Sequence, residues 1–206
     1  MMTYFLFLSL LLPTIGQVEI PLMAISITRQ GKGALSVEDK ISQAIKGLGS
    51  KDDGVRNLAH KKLLEVTKES IEIRSMVIHA LLKVLERQET SFQAWSVAAE
   101  ILGELKSTEA IDPLVKQLDR NDGTVGLAAS RVPALRAIIG IGRPAVPKLA
   151  IALSKSNPSV RQIAAQALGA IGGREATTVL EGALKTEKDE QVLWYIRSAL
   201  SNQQQK

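Results

Sequence analysis

Two histidines are the only imidazole groups that this chain offers for catalysis or metal binding, and its 206 residues include no cysteine. His60 is followed by a lysine and His79 by an alanine, so neither has a carboxylate beside it in sequence to orient the ring or share a metal. The lack of cysteine excludes disulfides, thiolate nucleophiles and zinc–thiolate sites. No Ser-His-Asp order, carboxylate pair or glycine-rich nucleotide loop is visible. The sequence therefore predicts a protein that is not an enzyme, with no catalytic residue, metal site or cofactor.

Besides the histidines, the cationic side chains are the residues that could bind a partner through their charge. The stretch from Gly123 to Gly173 contains no aspartate or glutamate, in a chain whose formal net charge is +5. A basic stripe on a concave surface would favour an acidic protein, an anionic lipid surface or a polyanion as partner. The alternative is that these cations are ordinary solvated surface. They are Arg131, Arg136, Arg143, Lys148, Lys155 and Arg161.

The elements that carry these residues repeat along the chain. The segment SRVPALRAIIGIG from Ser130 aligns without a gap with VRQIAAQALGAIG from Val160. Three further segments fall on the same columns, and five segments of a second kind, from ISQAIKGL to TTVLEGAL, alternate with these five. Both kinds carry apolar residues at i, i+3, i+4 and i+7, which is the spacing of one helical face. The sequence predicts five units, each a first helix followed by a second helix, and no strand. The three further segments start at Val55, Ala94 and Val192.

Residues that favour helix ends mark the boundaries of these units. Ser36 and Asp39 have the spacing of a capping box, and Asn157 precedes a proline where an N-cap is wanted. Gly142 and the Gly172-Gly173 pair suit the ends of helices. A proline at position 133 would lie inside a helix that began at Val125, so we expect that helix to begin near Ser130 after a longer connection over 121–129.

The repeated segments resemble a known family. The sequences LGEL from Leu102, AIDPL from Ala110, AVPKL from Ala145 and VRQIAAQALGAIG from Val160 are similar to HEAT repeats of the phycobilin-lyase-like (PBS lyase HEAT-like) class. The resemblance covers about 37–202 and is most specific in units two to four. It implies an all-α, right-handed α-solenoid of about five stacked helix pairs, an armadillo-like superhelix with the second helices on the concave side.

The same resemblance suggests a role for an arginine column. Arg56, Arg131 and Arg161 share one position in their second helices, which on its own invites anion binding. In HEAT repeats of this class, an arginine here commonly bonds an aspartate or a backbone group in the neighbouring turn. The resemblance therefore implies a structural ladder. The iron-binding HEAT relatives carry His-Glu pairs, and because this chain lacks them the resemblance implies no metal-dependent hydroxylase activity here.

A helical wheel drawn on the second helices predicts the surface that would bind a partner. Starting at Val160, one set of positions faces the core, while the residues two and six places after each start project away from it. We expect a binding surface on the second helices of units one to four, if one exists. Trp95 and Trp194 either anchor a partner or cap a repeat interface. The candidate protein-binding residues are Asn57, Lys61, Glu100, Arg136, Gln162 and Gln166.

The first residues resemble a targeting segment. An uncharged start with a dense apolar run from Phe5 to Leu12, then a proline and small residues at Thr14 and Gly16, is typical of a secretory signal peptide. No lysine or arginine precedes the run, and an uncleaved anchor is the alternative. We expect a signal peptide over 1–16, a flexible linker over 17–36 and the HEAT-repeat solenoid over 37–203.

Together these features predict a non-catalytic scaffold or adaptor that is exported to the periplasm or secreted. Its partner is expected to be a protein, and the basic stretch favours an acidic one. A membrane association is expected only if the leader stays uncleaved. The alternatives are a chromophore-lyase-like subunit and a nucleic-acid-binding HEAT protein. Export and the small number of aromatic residues disfavour nucleic acid.

Overall fold

A computed structural model describes residues 35–120, 132–155 and 157–204. Every regular element in those ranges is helical, which confirms the predicted all-α class. The predicted signal peptide (1–16) and nearly all of the predicted linker (17–36) lie outside the described residues, as does Arg131. Within the described ranges, no helix is both long enough and apolar enough to cross a membrane.

The helices form five consecutive pairs in the order that the repeated segments predicted. Two short 3₁₀ turns, Thr108–Ala110 and Arg143–Ala145, lead into the first helices of the third and fourth pairs. The pairs are α1 (Val37–Gly47) with α2 (Asp53–Val66), α3 (Ile71–Glu86) with α4 (Phe92–Glu104), α5 (Ile111–Lys116) with α6 (Pro133–Ile141), α7 (Val146–Ala152) with α8 (Pro158–Ile171), and α9 (Arg174–Leu184) with α10 (Glu190–Gln204).

Side-chain oxygens fix the starts of several helices. The hydroxyls of Ser36, Ser70 and Ser91 accept hydrogen bonds from backbone N–H groups three residues later, and the carboxylate of Asp52 does the same at the start of α2. The amide oxygen of Asn157 accepts from Ser159 at the start of α8. Each bond satisfies an N–H that has no partner inside the helix, which stabilises the helix by about 1 kcal/mol.

Helix α6 begins later than expected. The sequence predicts a start near Ser130, whereas the first helical residue is Pro133. Proline fits the first helical position because it has no N–H to leave unpaired there. It also forces the residue before it out of the helical region, and Val132 accordingly has φ −117° and ψ 89°. The connection that would precede α6, over 121–131, lies outside the described residues.

Small residues let the second helices of neighbouring pairs approach closely. A Cβ added to Gly103 of α4 would lie 2.6 Å from the Cα of Ala137 in α6, and one added to Gly169 of α8 would lie 2.6 Å from the Cβ of Ala199 in α10. The core around these contacts is aliphatic and rich in alanine.

From the second pair to the fifth, the second helices contact one another more extensively than the first helices do. We call the layer formed by α2, α4, α6, α8 and α10 the inner layer, and the layer formed by α1, α3, α5, α7 and α9 the outer layer.

Candidate protein-binding surface

The first candidate residues lie where the helical wheel placed them. Asn57 and Lys61 are exposed on α2 in the inner layer. The ammonium of Lys61 lies 4.0 Å from a carboxylate oxygen of Glu65, one turn away, and both side chains are largely solvent-exposed. An exposed i,i+4 pair of this kind contributes only a few tenths of a kcal/mol, so Lys61 remains available to a partner.

Two further candidates are brought together by the fold. Arg136 Nη1 on α6 lies 3.5 Å from Glu100 Oε1 on α4, across the boundary between the second and third pairs. In the outer layer, Lys148 Nζ of α7 likewise lies 2.7 Å from Asp112 Oδ1 of α5. Two cations of the acid-free stretch, Arg136 and Lys148, are thus matched by carboxylates of the preceding pair. This pairing reduces the basic character that the sequence suggested for the stretch.

Gln162 does not lie on the surface, contrary to expectation. It is only 5% exposed, and its Nε2 donates a hydrogen bond to Gln191 Oε1 of the next pair at 3.2 Å. Val132, in the same column of the helical wheel, is also buried. A helical wheel gives only the direction in which a side chain points from its own helix axis. Whether that side chain is buried depends on where the neighbouring second helix packs.

The arginine column makes the same backbone contact in two pairs. Arg56 Nη1 donates to the carbonyl of Ser50 at 2.6 Å, and Arg161 Nη1 donates to the carbonyl of Lys155 at 2.9 Å. Each carbonyl lies six residues earlier, before the second helix of the pair. Arg56 also forms an ion pair with Asp53. The ladder role of this column stays a prediction, for which these contacts supply the geometry, and Arg131 lies outside the described residues.

Arg161 has a second set of bonds that reach the next pair. Its Nε and Nη2 donate to the two carboxylate oxygens of Glu187 at 2.7 and 3.0 Å. This hydrogen bond is the main reason why the pKa of Glu187 lies below its ordinary value. It also raises the pKa of Arg161. Glu187 further accepts from the N–H groups of Lys188 and Asp189, so one carboxylate organises the loop before α10.

A groove of about 630 Å³ opens on the inner layer between α6, α8 and α10. Its floor and walls are largely apolar, and Trp194 at its edge is 62% exposed. The rings of Trp194 and Tyr195 meet edge to face with centroids 4.9 Å apart, which holds the indole in one orientation. The residues that line the groove include Leu135, Ile139, Gln166, Trp194, Tyr195 and Ser198.

Gln166 supplies a polar group to this groove. Its Nε2 is hidden from solvent and has no hydrogen-bond partner in the part of the chain that the structure describes. A buried amide without a partner costs about 1–3 kcal/mol, so this side chain weakens the packing beneath the groove. Gln166 is the candidate that the helical wheel placed here, while Trp194 and Ser198 occupy its columns in the fifth pair.

The two tryptophans have different environments. Trp95 is fully buried, with Phe92 stacked at 6.2 Å and the guanidinium of Arg120 lying 4.9 Å from the ring centroid. Burial lowers the pKa of Arg120, which nonetheless donates to the carbonyl of Thr90 at 2.8 Å. Trp95 thus packs inside the repeat stack, and of the two tryptophans Trp194 is the accessible one.

The fold creates one histidine–carboxylate pair that sequence neighbours did not indicate. His60 Nε2 on α2 lies 3.0 Å from Glu104 Oε1 on α4. Glu104 is one turn from Glu100, so α4 presents both carboxylates to its neighbours in the inner layer. Over the described ranges, no group of three histidine, aspartate or glutamate side chains is placed to hold a metal ion.

Family models match two parts of the repeat region. A model of HEAT repeats matches residues 129–201, and a model of the PBS lyase HEAT-like repeat matches residues 96–120. The resemblance that the sequence motifs suggested is therefore confirmed over these ranges. Among curated proteins, none matches the chain in sequence.

Solved structures with similar folds include natural and designed repeat proteins. The chain is similar to the complex of CpcE and CpcF of phycocyanin lyase from Nostoc sp., with 20% identity and a TM-score of 0.45 over 94% of this chain and 71% of that one. It is similar to a designed armadillo repeat protein, with 20% identity and a TM-score of 0.39 over 79% and 82% of the two chains. An engineered protein gives 22% identity and a TM-score of 0.39 over 83% and 85%.

Proposed function

We propose that this chain, which carries HEAT-type repeats at 96–120 and 129–201, is an exported, non-catalytic scaffold that binds a protein partner on its inner layer. Stacked helix pairs present a continuous curved surface, which suits the binding of an extended partner. The observation that carries the proposal is the groove between α6, α8 and α10 with Trp194 exposed at its edge.

The chemistry of the groove favours a polypeptide as its occupant. The partly exposed apolar side chains of Ile139 and Tyr195, with the exposed indole of Trp194, suit an apolar side chain of the partner. Tryptophan is favoured where binding energy concentrates, because it combines a large apolar area with few rotatable bonds. Arg136, next to Leu135 in sequence, retains enough exposure to contact an acidic residue of the partner.

The alternatives receive less support from the described contacts. A nucleic-acid-binding surface would need free cations and stacking aromatics, yet Arg136, Lys148 and Arg161 each lie against a carboxylate. A chromophore-lyase-like subunit would need a cytoplasmic location and a partner subunit. Fractionation of the native host separates these readings, because periplasmic or secreted material excludes both alternatives.

Affinity capture with paired variants tests the scaffold. Trp194→Ala should weaken binding of the captured partner by about 2 kcal/mol or more, roughly thirtyfold in Kd, as expected for a tryptophan that anchors a partner. Ile151→Ala is the matched control, since Ile151 is a comparably exposed apolar side chain on α7 in the outer layer. The partner is identified by mass spectrometry, and its Kd for the purified variants is then measured. Equal binding by Trp194→Ala and wild type would overturn the groove as the binding site.

A further inference from the structure

In the described part of the chain, the first helix pair ends the stack with an apolar face whose counterparts in other pairs are more deeply buried. Leu58 is 52% exposed, whereas Ile163, at the same position of the fourth pair, is fully buried. Leu35 and Val55 are exposed to a similar degree beside it. Together they border a groove of about 540 Å³ between α1 and α2. We call this surface, formed by Leu35, Val55 and Leu58 with the polar rim described below, the end face.

The opposite end of the solenoid differs in character. Among the described residues of α9 and α10, the exposed positions are polar, charged or glycine, apart from Trp194 on the inner layer. A polar outer face is what keeps the last repeat of a solenoid soluble. The two ends are therefore not complementary to each other, and stacking of one copy's first pair on another copy's last pair would leave the apolar end face against charged side chains.

The rim of the end face is complementary to itself. Lys40 and Lys62 contribute two positive charges, and Glu65 and Glu69 contribute two negative charges, so the rim has no net charge. In an isologous contact, residue i of one copy meets residue j of the second while j meets i, and only residues on the two-fold axis meet their own copies. Lysines of one rim can then face glutamates of the other without like-charge repulsion, while the apolar centres meet.

We propose that the end face is a docking surface for a second copy of this chain, which pairs first helix pair to first helix pair about a two-fold axis. The contact buries Leu35, Val55 and Leu58 of both copies. It leaves the groove between α6, α8 and α10 free in each copy, at the far ends of the dimer. The proposal does not depend on the scaffold function, because the two surfaces share no residue.

Sedimentation velocity of the full chain over a concentration series gives the first test. We expect a reversible monomer–dimer equilibrium whose dissociation constant rises at least roughly tenfold in Leu58→Asp, because the substitution would bury an unpaired charge. Ile151→Asp is the control, since it places the same charge on an equally exposed apolar site away from the end face. A chain that stays monomeric at every concentration, or a dimer that Leu58→Asp leaves unchanged, would overturn the proposal, and the end face would then serve another protein or another part of this chain.

Charge reversal distinguishes a second copy from any other occupant. Lys40→Glu with Lys62→Glu makes the rim wholly acidic, and Glu65→Lys with Glu69→Lys makes it wholly basic. Each double variant alone should dimerise at least roughly tenfold more weakly at low salt, and an equimolar mixture should form heterodimers. Both variants change only exposed side chains, so the fold should persist. Failure of the mixture to associate would show that the rims do not face each other, and would overturn the two-fold pairing.

Discussion

Glu187 accepts two parallel hydrogen bonds from Arg161, at 2.7 Å from Nε and 3.0 Å from Nη2, and so joins α8 to the loop that leads into α10. The two side chains are 14% and 9% exposed, so solvent screens this pair far less than the surface ion pairs elsewhere in the described chain. With the bond from Arg161 to the carbonyl of Lys155, one guanidinium connects three segments of the last two helix pairs.

Arg161→Ala should destabilise the protein. Losing charge-assisted hydrogen bonds to a nearly buried carboxylate costs roughly 1.5–3 kcal/mol, so the thermal midpoint should fall. Arg197→Ala is the control, because Arg197 is an exposed cation on α10 and its loss should change stability by less than about 0.5 kcal/mol. Thermal and urea unfolding measure both effects. If stability were unchanged while partner affinity collapsed, the arginine column would be a binding surface and not a ladder.

Glu187→Gln should lower stability in a pH-dependent way. The pKa of Glu187 is depressed in the folded protein, so its ionised form stabilises the fold at any pH above its ordinary pKa of about 4.3. That contribution is lost as the pH falls from there through the lowered folded pKa, where wild type becomes protonated too. The difference in free energy of unfolding between wild type and Glu187→Gln should therefore be full at neutral pH and shrink in acid. A difference that stayed constant down to strongly acidic pH would contradict this assignment.

Gly103→Ala should destabilise the stack. The added methyl would lie 2.6 Å from Ala137 Cα and 2.9 Å from Ala137 O, and neither backbone atom can move without separating α4 from α6. Overpacking of this kind costs about 1–3 kcal/mol, which exceeds the gain of about 0.5–1 kcal/mol from replacing a helical glycine. Gly182→Ala on α9 is the matched control, because a Cβ there meets nothing within 4 Å and should raise stability. Urea unfolding of both variants measures whether each substitution lowers or raises the free energy of unfolding.

Arg136→Glu should slow association with an acidic partner while leaving the fold intact. It would place two carboxylates face to face, Glu100 and the new one, but both sites are exposed enough that the stability cost should stay below about 1 kcal/mol. The loss in association rate should fade as salt shortens the screening length. Lys148→Glu is the control, since Lys148 also pairs with a carboxylate of the preceding helix pair but lies in the outer layer. If Arg136→Glu and Lys148→Glu slowed association equally, the result would contradict binding of the partner on the inner layer.

The mature protein should begin near Gln17 if the chain is exported. Thr14 and Gly16 supply the small residues that frame a cleavage site after the apolar run Phe5–Leu12. N-terminal sequencing of protein purified from the native host measures this directly. Recovery of intact Met1 or Met2 in a soluble cytosolic fraction would contradict export.

The sequence predicted the elements of this fold better than the contacts between them. Apolar periodicity located the five helix pairs because it depends on each helix burying one face, a local property of the chain. Gln162 was misplaced because a helical wheel contains no information on which neighbouring helix covers a given direction. The pair formed by His60 and Glu104 was missed for the same reason, since it depends on the stacking distance between α2 and α4.

Part of the candidate groove was nevertheless within reach of the sequence. Trp194 and Ser198 lie two and six places after Val192, the same columns that singled out Gln166 in the fourth pair. The same helical-wheel rule, applied to the second helix of the fifth unit, predicts both residues on the surface that includes Gln166. The unpaired amide of Gln166 could not be predicted, because it depends on the side chains that surround it in the folded protein.

The close contacts of Gly103 with Ala137 and of Gly169 with Ala199 also have a mechanical consequence. Because these backbones are already in contact, the second helices cannot move closer together at these two points. The inner layer should therefore resist compression, and its length should change little when the solenoid bends. We expect the solenoid to bend mainly by changes in the spacing of the outer-layer helices, which contact one another less extensively from the second pair to the fifth. A partner bound against α8 and α10 would then contact two helices whose spacing stays almost constant while the outer surface of the protein changes shape.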